Sequence, residues 1–375
     1  MPISHWLKIM DPTGANPIIV TGNPPGNDPT RGPFTNLAYT EVINGYGPCS
    51  FTLYGNHLAI ANLTDQALVE VWSQWPEMGL APHIEWSGVY KDEDSETTVE
   101  GGDIFKATCY SDAWWLSTRA IAYPAGTANR SLFSGAKGET IMKTLVTYNA
   151  TASGTTVDGR DELATITGVS VQADGANGNT QDWACANENL LDNLAKLAPG
   201  AGGDFDLIKT GAAAWEFRWY TGQRGTDRTA TVKFSIELGN MANPSYSMTR
   251  SGERTVALVK GAGTGSDRVV VIRTGANYSA SNKSEMYVNA SSQATTTATL
   301  NATGDAALKS SQANEVISFD ALPFPNSIYN KHWFLGDKVS VKYKSHNLTP
   351  RIVMVTTTVD QQAGVTIRPG MAVNV

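Results

Sequence analysis

The sequence predicts a mainly β protein with an α+β centre, and three observations lead to this fold class. Charged residues make up 17% of the 375-residue chain and glycines number 35, a composition that favours a β-rich protein over a helical one. The first third of the chain places short alternating segments between turn formers, at a spacing typical of a sandwich or barrel. The last forty-odd residues contain three runs with strand chemistry, in which apolar and polar side chains alternate.

Residues 1–34 are predicted to form a Pro/Gly-rich N-terminal arm, because prolines and glycines crowd positions 11–33. Such a stretch forms neither a helix nor a central strand. Residues 35–137 are predicted to be the first β domain, with strands near 50–54, 68–72 and 83–89. Gly88 within the last of these indicates a bulge or a close backbone approach.

Residues 138–244 are predicted to form a mixed domain. Apolar residues at helical spacing predict a helix over 139–148. Asn187 is a plausible N-cap for a second helix over 188–198, whose leucines form one stripe and which Gly200 follows. Alternation of apolar and polar residues predicts two strands. One passes through Trp215, Phe217 and Trp219, and the other through Phe234, Ile236 and Leu238.

Residues 245–375 are predicted to be a second β domain. Strands over 255–260 and 268–273 flank a glycine-rich turn at 261–267. The stretch 290–304 is almost entirely Ala, Ser, Thr, Asn and Gln, so it is predicted to be a flexible, exposed loop that tolerates deletion. A short helix is expected near 305–315, before closing strands at 339–343, 351–359 and 364–370.

No local pattern carries recognisable catalytic chemistry, so we predict no catalytic, cofactor-binding or metal-binding residue and no cofactor. The acidic run over 92–96 lacks the ligand spacing and tight glycine turn of a calcium loop. The run Gly261-x-Gly263-x-Gly265 precedes a strand, whereas a phosphate-binding loop opens a helix. The five histidines show none of the i, i+2 or i+4 pairing of a metal site: His5, His57, His83, His332 and His346.

Composition excludes several other functions. A net charge of −7 argues against binding nucleic acid through its phosphates. The ten tryptophans are interpreted as packing residues rather than as a sugar-binding platform. Cys49, Cys109 and Cys185 are widely spaced and are expected to be reduced, buried thiols. We expect no signal peptide and no membrane-spanning segment.

Six phrases occur in the order found in one group of phage proteins, over about residues 37 to 370. They are Gly47-Pro48-Cys49-Ser50-Phe51-Thr52-Leu53, Trp86-Ser87-Gly88-Val89, Glu188-Asn189-Leu190-Leu191-Asp192-Asn193-Leu194, Gly225-Thr226-Asp227-Arg228-Thr229, Leu238-Gly239-Asn240, and Gly336-Asp337-Lys338-Val339 with Arg351-Ile352. On these residues the chain resembles the tail hub (baseplate hub-like, tail tip) proteins of long-tailed bacteriophages, in particular a siphovirus minor tail protein family.

This resemblance implies a structural protein of the virion tail tip, made in the host bacterial cytoplasm. It implies a homotrimeric ring at the distal end of the tail tube. Each subunit would contribute two antiparallel, tube-type β-barrels, at 35–137 and 245–375, with a mixed domain inserted between them. The implied partners are the distal tail protein ring, the tail tube, tail tip or fibre proteins and the tape measure protein. DNA would only pass through the lumen in transit.

The resemblance also implies that the chain is not an enzyme. Some relatives carry an additional hydrolase or peptidase domain, but here the sequence ends at Val375, directly after the closing strands, so we expect none. Three alternatives stay open at this point. They are a tail-associated cell-wall hydrolase, a carbohydrate-binding adhesin of the tail tip, and the ring that begins the distal tail, which is usually smaller and hexameric.

Overall fold

The computed structural model describes residues 3–22, 33–97, 102–122, 131–151, 165–290, 296–324, 326–360 and 364–373. Their strands are β1 Ser4–Met10, β2 Ile18–Thr21, β3 Thr35–Val42, β4 Pro48–Tyr54, β5 Leu68–Trp75, β6 Leu80–Thr97, β7 Asp103–Ser111, β8 Ser131–Lys137, β9 Val169–Val171, β10 Thr180–Cys185, β11 Gly203–Gly211, β12 Ala214–Thr221, β13 Lys233–Ser235, β14 Met241–Thr249, β15 Val256–Lys260, β16 Val270–Thr274, β17 Glu285–Asn289, β18 Asn314–Ala321, β19 Ser340–Tyr343, β20 His346–Leu348, β21 Arg351–Asp360 and β22 Gly364–Ala372. Their α-helices are α1 Trp114–Ser117, α2 Gly138–Ala150, α3 Leu190–Ala201 and α4 Thr297–Ser310.

One antiparallel sheet joins the two ends of the chain. Its eleven strands follow the order β14-β18-β22-β21-β3-β4-β7-β6-β5-β1-β2. The connection is the pairing of β21 with β3, in register from Met354 opposite Val42 to Val359 opposite Leu37. The predicted mainly β fold is confirmed. The two separate barrels are not seen. Strands from both predicted barrel regions instead lie in this one continuous sheet, whose first and last strands are not hydrogen-bonded to each other.

The N-terminal half of this sheet is strongly curled. β2 and β3 lie far apart in the strand order, yet Val20 of β2 and Leu37 of β3 belong to one core. The hydroxyl of Tyr39 on β3 also lies 3.4 Å from Nε2 of His5 on β1. Seven strands therefore wrap around a single apolar interior, which is the geometry of a barrel without the closing ladder.

Strands β1 and β2 correct the prediction of an N-terminal arm. β1 lies inside the sheet between β5 and β2, and Leu7 and Ile9 are fully buried in the core. The alternation of buried and half-exposed residues in β1 is a strand pattern that the adjacent Pro/Gly-rich segment obscured. Residues 23–32 of the predicted arm lie outside the described residues.

The C-terminal half of the sheet shares a core with a second, three-stranded sheet of order β13-β19-β20. Trp333 is fully buried at its centre, edge-on to Phe234 at 5.8 Å. The predicted closing strands are confirmed as β19, β21 and β22. The strand predicted to run through Ile236 and Leu238 ends at Ser235, and these two side chains project into solvent from a turn.

The centre of the chain forms an α/β unit in which α2 and α3 pack against two small sheets, β8-β10 and β11-β12-β9. Both predicted helices are confirmed, with shifted ends. The N-cap of α3 is Asn189 rather than Asn187, because the Asn189 side chain accepts a hydrogen bond from the Asp192 N–H. The helix ends where Gly202 adopts φ 72°.

Strands β15, β16 and β17 and helix α4 form a satellite unit inserted between β14 and β18. The predicted hairpin of β15 and β16 is confirmed. The predicted flexible loop at 290–304 is wrong from residue 297 on, because α4 covers 297–310. The short helix expected near 305–315 is present, but it begins earlier and ends at Ser310. Leu300 and Leu308 anchor α4 in a small core, so deleting this segment is now expected to disrupt the unit. Residues 291–295 lie outside the described range.

Cys49 and Cys109 face each other across the β4–β7 ladder, and both thiols are free and buried. The Ser111 N–H donates to the Gly47 carbonyl two positions along, so Cys49 and Cys109 form a wide, hydrogen-bonded pair. In such a pair the Cβ atoms are roughly 5 Å apart, beyond the ~3.8 Å typical of a disulfide. The ladder therefore opposes oxidation of the pair.

All three cysteines are expected to titrate as free thiols in the denatured chain and to react very slowly in the native chain. Burial raises the pKa of the Cys49 and Cys109 thiols, and that of Cys185 to about 12, so little reactive thiolate forms near neutral pH. Maleimide labelling with and without denaturant, read by intact mass, measures this. A single reactive thiol in the denatured, unreduced chain would contradict it.

Candidate functional site: an interlocked polar junction

Two histidines flank one buried carboxylate in the N-terminal core. His5 Nε2 lies 3.6 Å from Glu85 Oε2, and His83 Nε2 lies 3.6 Å from Glu85 Oε1. Glu85 also accepts hydrogen bonds from the hydroxyls of Tyr39 and Ser73. Burial alone would raise the pKa of Glu85, but the adjacent His5 and His83 side chains and the hydrogen bond from Ser73 hold it well below its usual range.

This cluster ties β1, β3, β5 and β6 together inside the curled half of the sheet. Sequence reasoning missed it because its members are scattered along the chain and carry no spacing signal. Both carboxylate oxygens of Glu85 contact neighbouring side chains, so Glu85 has a structural role in holding the strands of this core together.

The other polar residues singled out in the sequence lie in structural or exposed positions. His57 Nδ1 accepts a hydrogen bond from the Ala59 N–H at the start of a short 3₁₀-helix. The acidic run lies on the exposed end of β6, where Lys106 pairs with Asp94 at 3.7 Å and Glu96 at 3.3 Å. Within the described residues, no three His, Cys, Asp or Glu side chains are grouped so that they could hold a metal ion.

The tryptophans highlighted in the sequence serve mainly as packing residues. Trp215 and Trp219 are buried in the core of the α/β unit. Trp115 packs against Trp215 with 6.0 Å between ring centroids. Trp114 stacks on Tyr110 at 6.4 Å, next to the core rather than in a groove of its own.

Two loops far apart in sequence interlock through a pair of glycines. Gly225 and Gly336 have φ values of 92° and 94°. A Cβ on Gly336 would lie 2.2 Å from the carbonyl oxygen of Arg224, and one on Gly225 would lie 2.3 Å from the carbonyl carbon of Gly336. Only glycine therefore fits at either position.

The Asp337 carboxylate joins the two interlocked loops through hydrogen bonds. Its side chain is 1% exposed. Oδ1 accepts a hydrogen bond from the Thr226 N–H at 2.7 Å. Oδ2 accepts from Arg228 Nε at 2.7 Å and from the Phe334 N–H at 2.9 Å. The two sequence phrases Gly225–Thr229 and Gly336–Val339 are thus parts of one structural feature.

A second carboxylate extends this contact into the α/β unit. Asp204, on β11, accepts hydrogen bonds from Asn44 Nδ2 at 2.8 Å and from the Arg224 N–H at 2.6 Å, and forms an ion pair with Arg351. The Phe205 N–H donates to Asn44 Oδ1 at 2.8 Å. Since Asn44 follows β3 and Arg351 begins β21, Asp204 joins the α/β unit to both halves of the large sheet. We use the name polar junction for Asp204, Asp337 and the residues that donate hydrogen bonds to their carboxylates. These donors are Asn44, Arg224, Thr226, Arg228, Phe334 and Arg351.

A cavity of about 220 Å³ opens beside the polar junction. Its ionisable lining residues are Glu41, Glu85, Asp112, Asp206, Lys209 and Arg224. Arg224 forms an ion pair with Asp206, and Lys209 lies 3.1 Å from Glu70, just outside the lining. The two cations are thus paired with carboxylates. Glu41 accepts a hydrogen bond from the Tyr329 hydroxyl, and Asp112 accepts one from the Ser87 hydroxyl. The arrangement therefore holds strands together rather than presenting an activated nucleophile.

Glu41 is the group of this cavity that titrates near neutral pH. Burial raises its pKa to about 7, and the nearby carboxylates of Glu85 and Asp206 add to the rise. The hydrogen bond donated by the Tyr329 hydroxyl and the charge of Arg224 act in the opposite direction.

Replacing Glu41 by glutamine is expected to stabilise the chain at pH 8 relative to pH 5. The folded chain holds this proton more tightly than the unfolded chain, so the wild-type contribution to stability falls as pH rises from about 4.5 to about 7. Glutamine still accepts from Tyr329 but cannot ionise. The measurement is the difference in thermal midpoint between variant and wild type at each pH. Glu285→Gln, at an exposed position, is the control, and an equal difference at both pH values for Glu41→Gln would contradict the account.

No helix in the described part of the chain is both long enough and apolar enough to cross a membrane. Among curated proteins, none matches the sequence.

Solved structures with this fold include tail proteins and a PdpA-VgrG complex. The 43 kDa tail protein of prophage MuSo2 from Shewanella oneidensis has 13% identity and a TM-score of 0.64, with 98% of each chain covered. The tail protein from Neisseria meningitidis MC58 has 10% identity and a TM-score of 0.61, covering 99% of this chain and 97% of that one. Prophage tail protein gp18 from Listeria monocytogenes EGD-e has 10% identity and a TM-score of 0.54, covering 97% and 94%.

At these identities the likeness shows a common fold, which spans nearly the whole length of each protein. A family model for siphovirus ReqiPepy6 Gp37-like proteins matches residues 65–370 of the sequence. That range includes the α/β unit, both interlocked loops, six whole strands of the large sheet (β5, β6, β7, β14, β18 and β21) and most of β22. The resemblance to a siphovirus tail protein family is therefore confirmed, and the chain belongs to the siphovirus ReqiPepy6 Gp37-like protein family.

Proposed function

We propose that this chain is a structural tail hub protein of a phage virion. In this proposal three copies form a ring at the distal end of the tail tube, join the tube to the tail tip or fibres, and surround the channel through which DNA leaves. The observation that carries the proposal is the fold match to phage tail proteins over 94–98% of their chains.

The architecture supports this role. Residues 35–137 and 245–375 would supply the two tube-type β domains, with 138–244 between them. The large sheet and the polar junction join these parts into one body, which suits a protein that transmits force between tube and tip. The pairing of β21 with β3 also provides partners for the backbone N–H and C=O groups that would stay unpaired at the edges of two separate sheets.

The proposed neighbours are the distal tail protein ring, the tail tube, tip or fibre proteins and the tape measure protein. DNA would contact the hub only in transit, and the net charge of −7 suits a channel wall that does not retain it. The proposal includes no catalytic step. Purified chain is accordingly expected to release neither sugar nor peptide from host cell walls.

Native mass spectrometry of the purified chain, with negative-stain images of the same sample, tests the ring. A mass near three times 40.1 kDa and three-fold class averages are expected. A chain that stays monomeric alone and after mixing with tube and distal tail proteins would overturn the proposal.

A further inference from the structure

One group of exposed apolar side chains forms a knob at two adjoining turns. We use the word knob for Ile236, Leu238, Leu322 and Phe324, which are 55%, 53%, 37% and 48% exposed. The turns touch each other: the Leu322 N–H donates to the Asn240 carbonyl at 3.0 Å. A contiguous apolar surface of this kind typically marks an interaction site.

Buried polar side chains hold the knob rigid. Asn240 Oδ1 accepts from the Ser235 N–H at 3.0 Å, and the Ser235 hydroxyl accepts from the Leu238 N–H at 3.1 Å. In the other turn, Ser327 Oγ accepts from the Phe324 N–H at 3.0 Å. Ser235, Asn240 and Ser327 are 4%, 5% and 2% exposed. The apolar side chains are thus held out in a fixed arrangement, which lowers the entropy cost of binding.

A second apolar surface covers the outer side of the satellite sheet. Leu258 lies opposite Ile272 on one neighbouring strand and opposite Tyr287 on the other, so these three side chains form a line across the sheet. Ile272 and Tyr287 are 64% and 62% exposed, and Val270 on the same side is 51% exposed. We call these four residues the flat face.

The flat face differs from the solvent-exposed side of most sheets that have only one side packed on a core. Helix α4 covers the opposite side, where Val259 and Ala257 are buried in the satellite core. The solvent side of such a sheet is normally polar, whereas here it carries large apolar side chains. An additional partner on this side explains the composition.

The knob and the flat face lie at opposite ends of one ladder. β14 and β18 pair from Met241 opposite Ala321 to Thr249 opposite Asn314. The knob adjoins the Met241 end through Asn240 and Leu322, and the satellite unit is inserted at the other end. Nine strand residues separate the ends by about 27 Å at ~3.4 Å per residue. Two separate surfaces are what a head-to-tail ring requires.

Each surface also has an exposed charge nearby that forms no ion pair with another described residue, and these two charges are opposite in sign. The other charges in the groove beside the knob, Glu237 and Lys342, pair with each other at 3.3 Å. Lys233 and Leu238 line the same groove beside the knob. Glu285 lies two residues before Tyr287 on β17, and therefore on the same side of the sheet. No ion pair joins Lys233 or Glu285 to another described residue, so both are available to a partner.

We propose that the knob of one copy docks on the flat face of a second copy, with Lys233 near Glu285 across the contact. This inference rests on the proposed ring function, since three such contacts close a three-fold ring. The contact is heterologous: each copy uses its knob toward one neighbour and its flat face toward the other.

The test compares the native masses of Leu238→Asp, Ile272→Asp and the control Leu132→Asp. Leu132 is 61% exposed on β8, outside both surfaces. The two surface variants are expected to stay folded and soluble but to lose the trimer, and the control is expected to remain trimeric. Mixing Leu238→Asp with Ile272→Asp is expected to give dimers, because one intact knob can still meet one intact flat face.

The outcomes separate the two proposals. If the wild-type chain and both variants are trimeric, the ring stands and this pairing is overturned. A mixture that stays monomeric would show that the contact does not run head to tail. A wild-type chain that never associates would overturn the ring and this contact together.

Discussion

Gly336→Ala is expected to open the polar junction and to lower the thermal midpoint strongly. The new Cβ would lie 2.2 Å from the Arg224 carbonyl oxygen, which belongs to backbone and cannot rotate away. The φ of 94° adds strain that an L side chain rarely tolerates. Strain and overpacking together cost about 3 kcal/mol or more.

Gly364→Ala is the matched control for this substitution. Gly364 also has a positive φ, 87°, but a Cβ there would meet no atom within 4 Å. It therefore isolates the backbone strain, roughly 1–2 kcal/mol, from the steric clash. The readouts are the thermal midpoint and resistance to limited proteolysis near residues 224–228. Equal losses in the two variants would show that the loops do not interlock as described.

Asp337→Ala is also expected to destabilise the chain strongly. It leaves the N–H groups of Thr226 and Phe334 without their acceptor and Arg228 without its carboxylate. Removing one partner of a buried pair typically costs about 3–5 kcal/mol. Asp337→Asn keeps the shape and one acceptor oxygen, so a smaller loss is expected. Soluble yield and thermal midpoint measure both variants.

Asp227→Ala provides the control within the same turn. The Asp227 carboxylate accepts hydrogen bonds only from the backbone and hydroxyl of Thr229, at an exposed position. Its loss is expected to be much smaller than that of Asp337→Ala. If the two alanine variants have the same thermal midpoint, Asp337 does not fasten the junction.

The elements that sequence could predict are those whose signal is local. The alternation of Trp215, Phe217 and Trp219 gave β12, because every second side chain faces the core. The leucine stripe gave α3, although the cap lay two residues later than expected. The first two turns of α4 were not predicted, because only Leu300 and Leu308 anchor this helix, against strands of the satellite sheet. The composition of this stretch is dominated by the small and polar residues on the solvent side of the helix, so it resembles that of a loop.

The features that sequence could not predict are contacts between distant segments. His5 meets His83 and Glu85 because β1, β5 and β6 are neighbours in the sheet. Tyr39 reaches Glu85 from β3 because the sheet curls. Gly225 and Gly336 each belong to a recognisable phrase, but neither phrase indicates that the two loops touch. A glycine followed within two residues by an aspartate, present in both loops, is the one local signal that could have suggested a tight contact.

Cryo-electron microscopy of tail tips from assembled virions tests the proposal that three copies of this chain form the hub at the distal end of a phage tail. We expect three copies in a ring at the last tube layer, with their large sheets facing the lumen. Six copies, or a position on a peripheral fibre away from the channel, would contradict it.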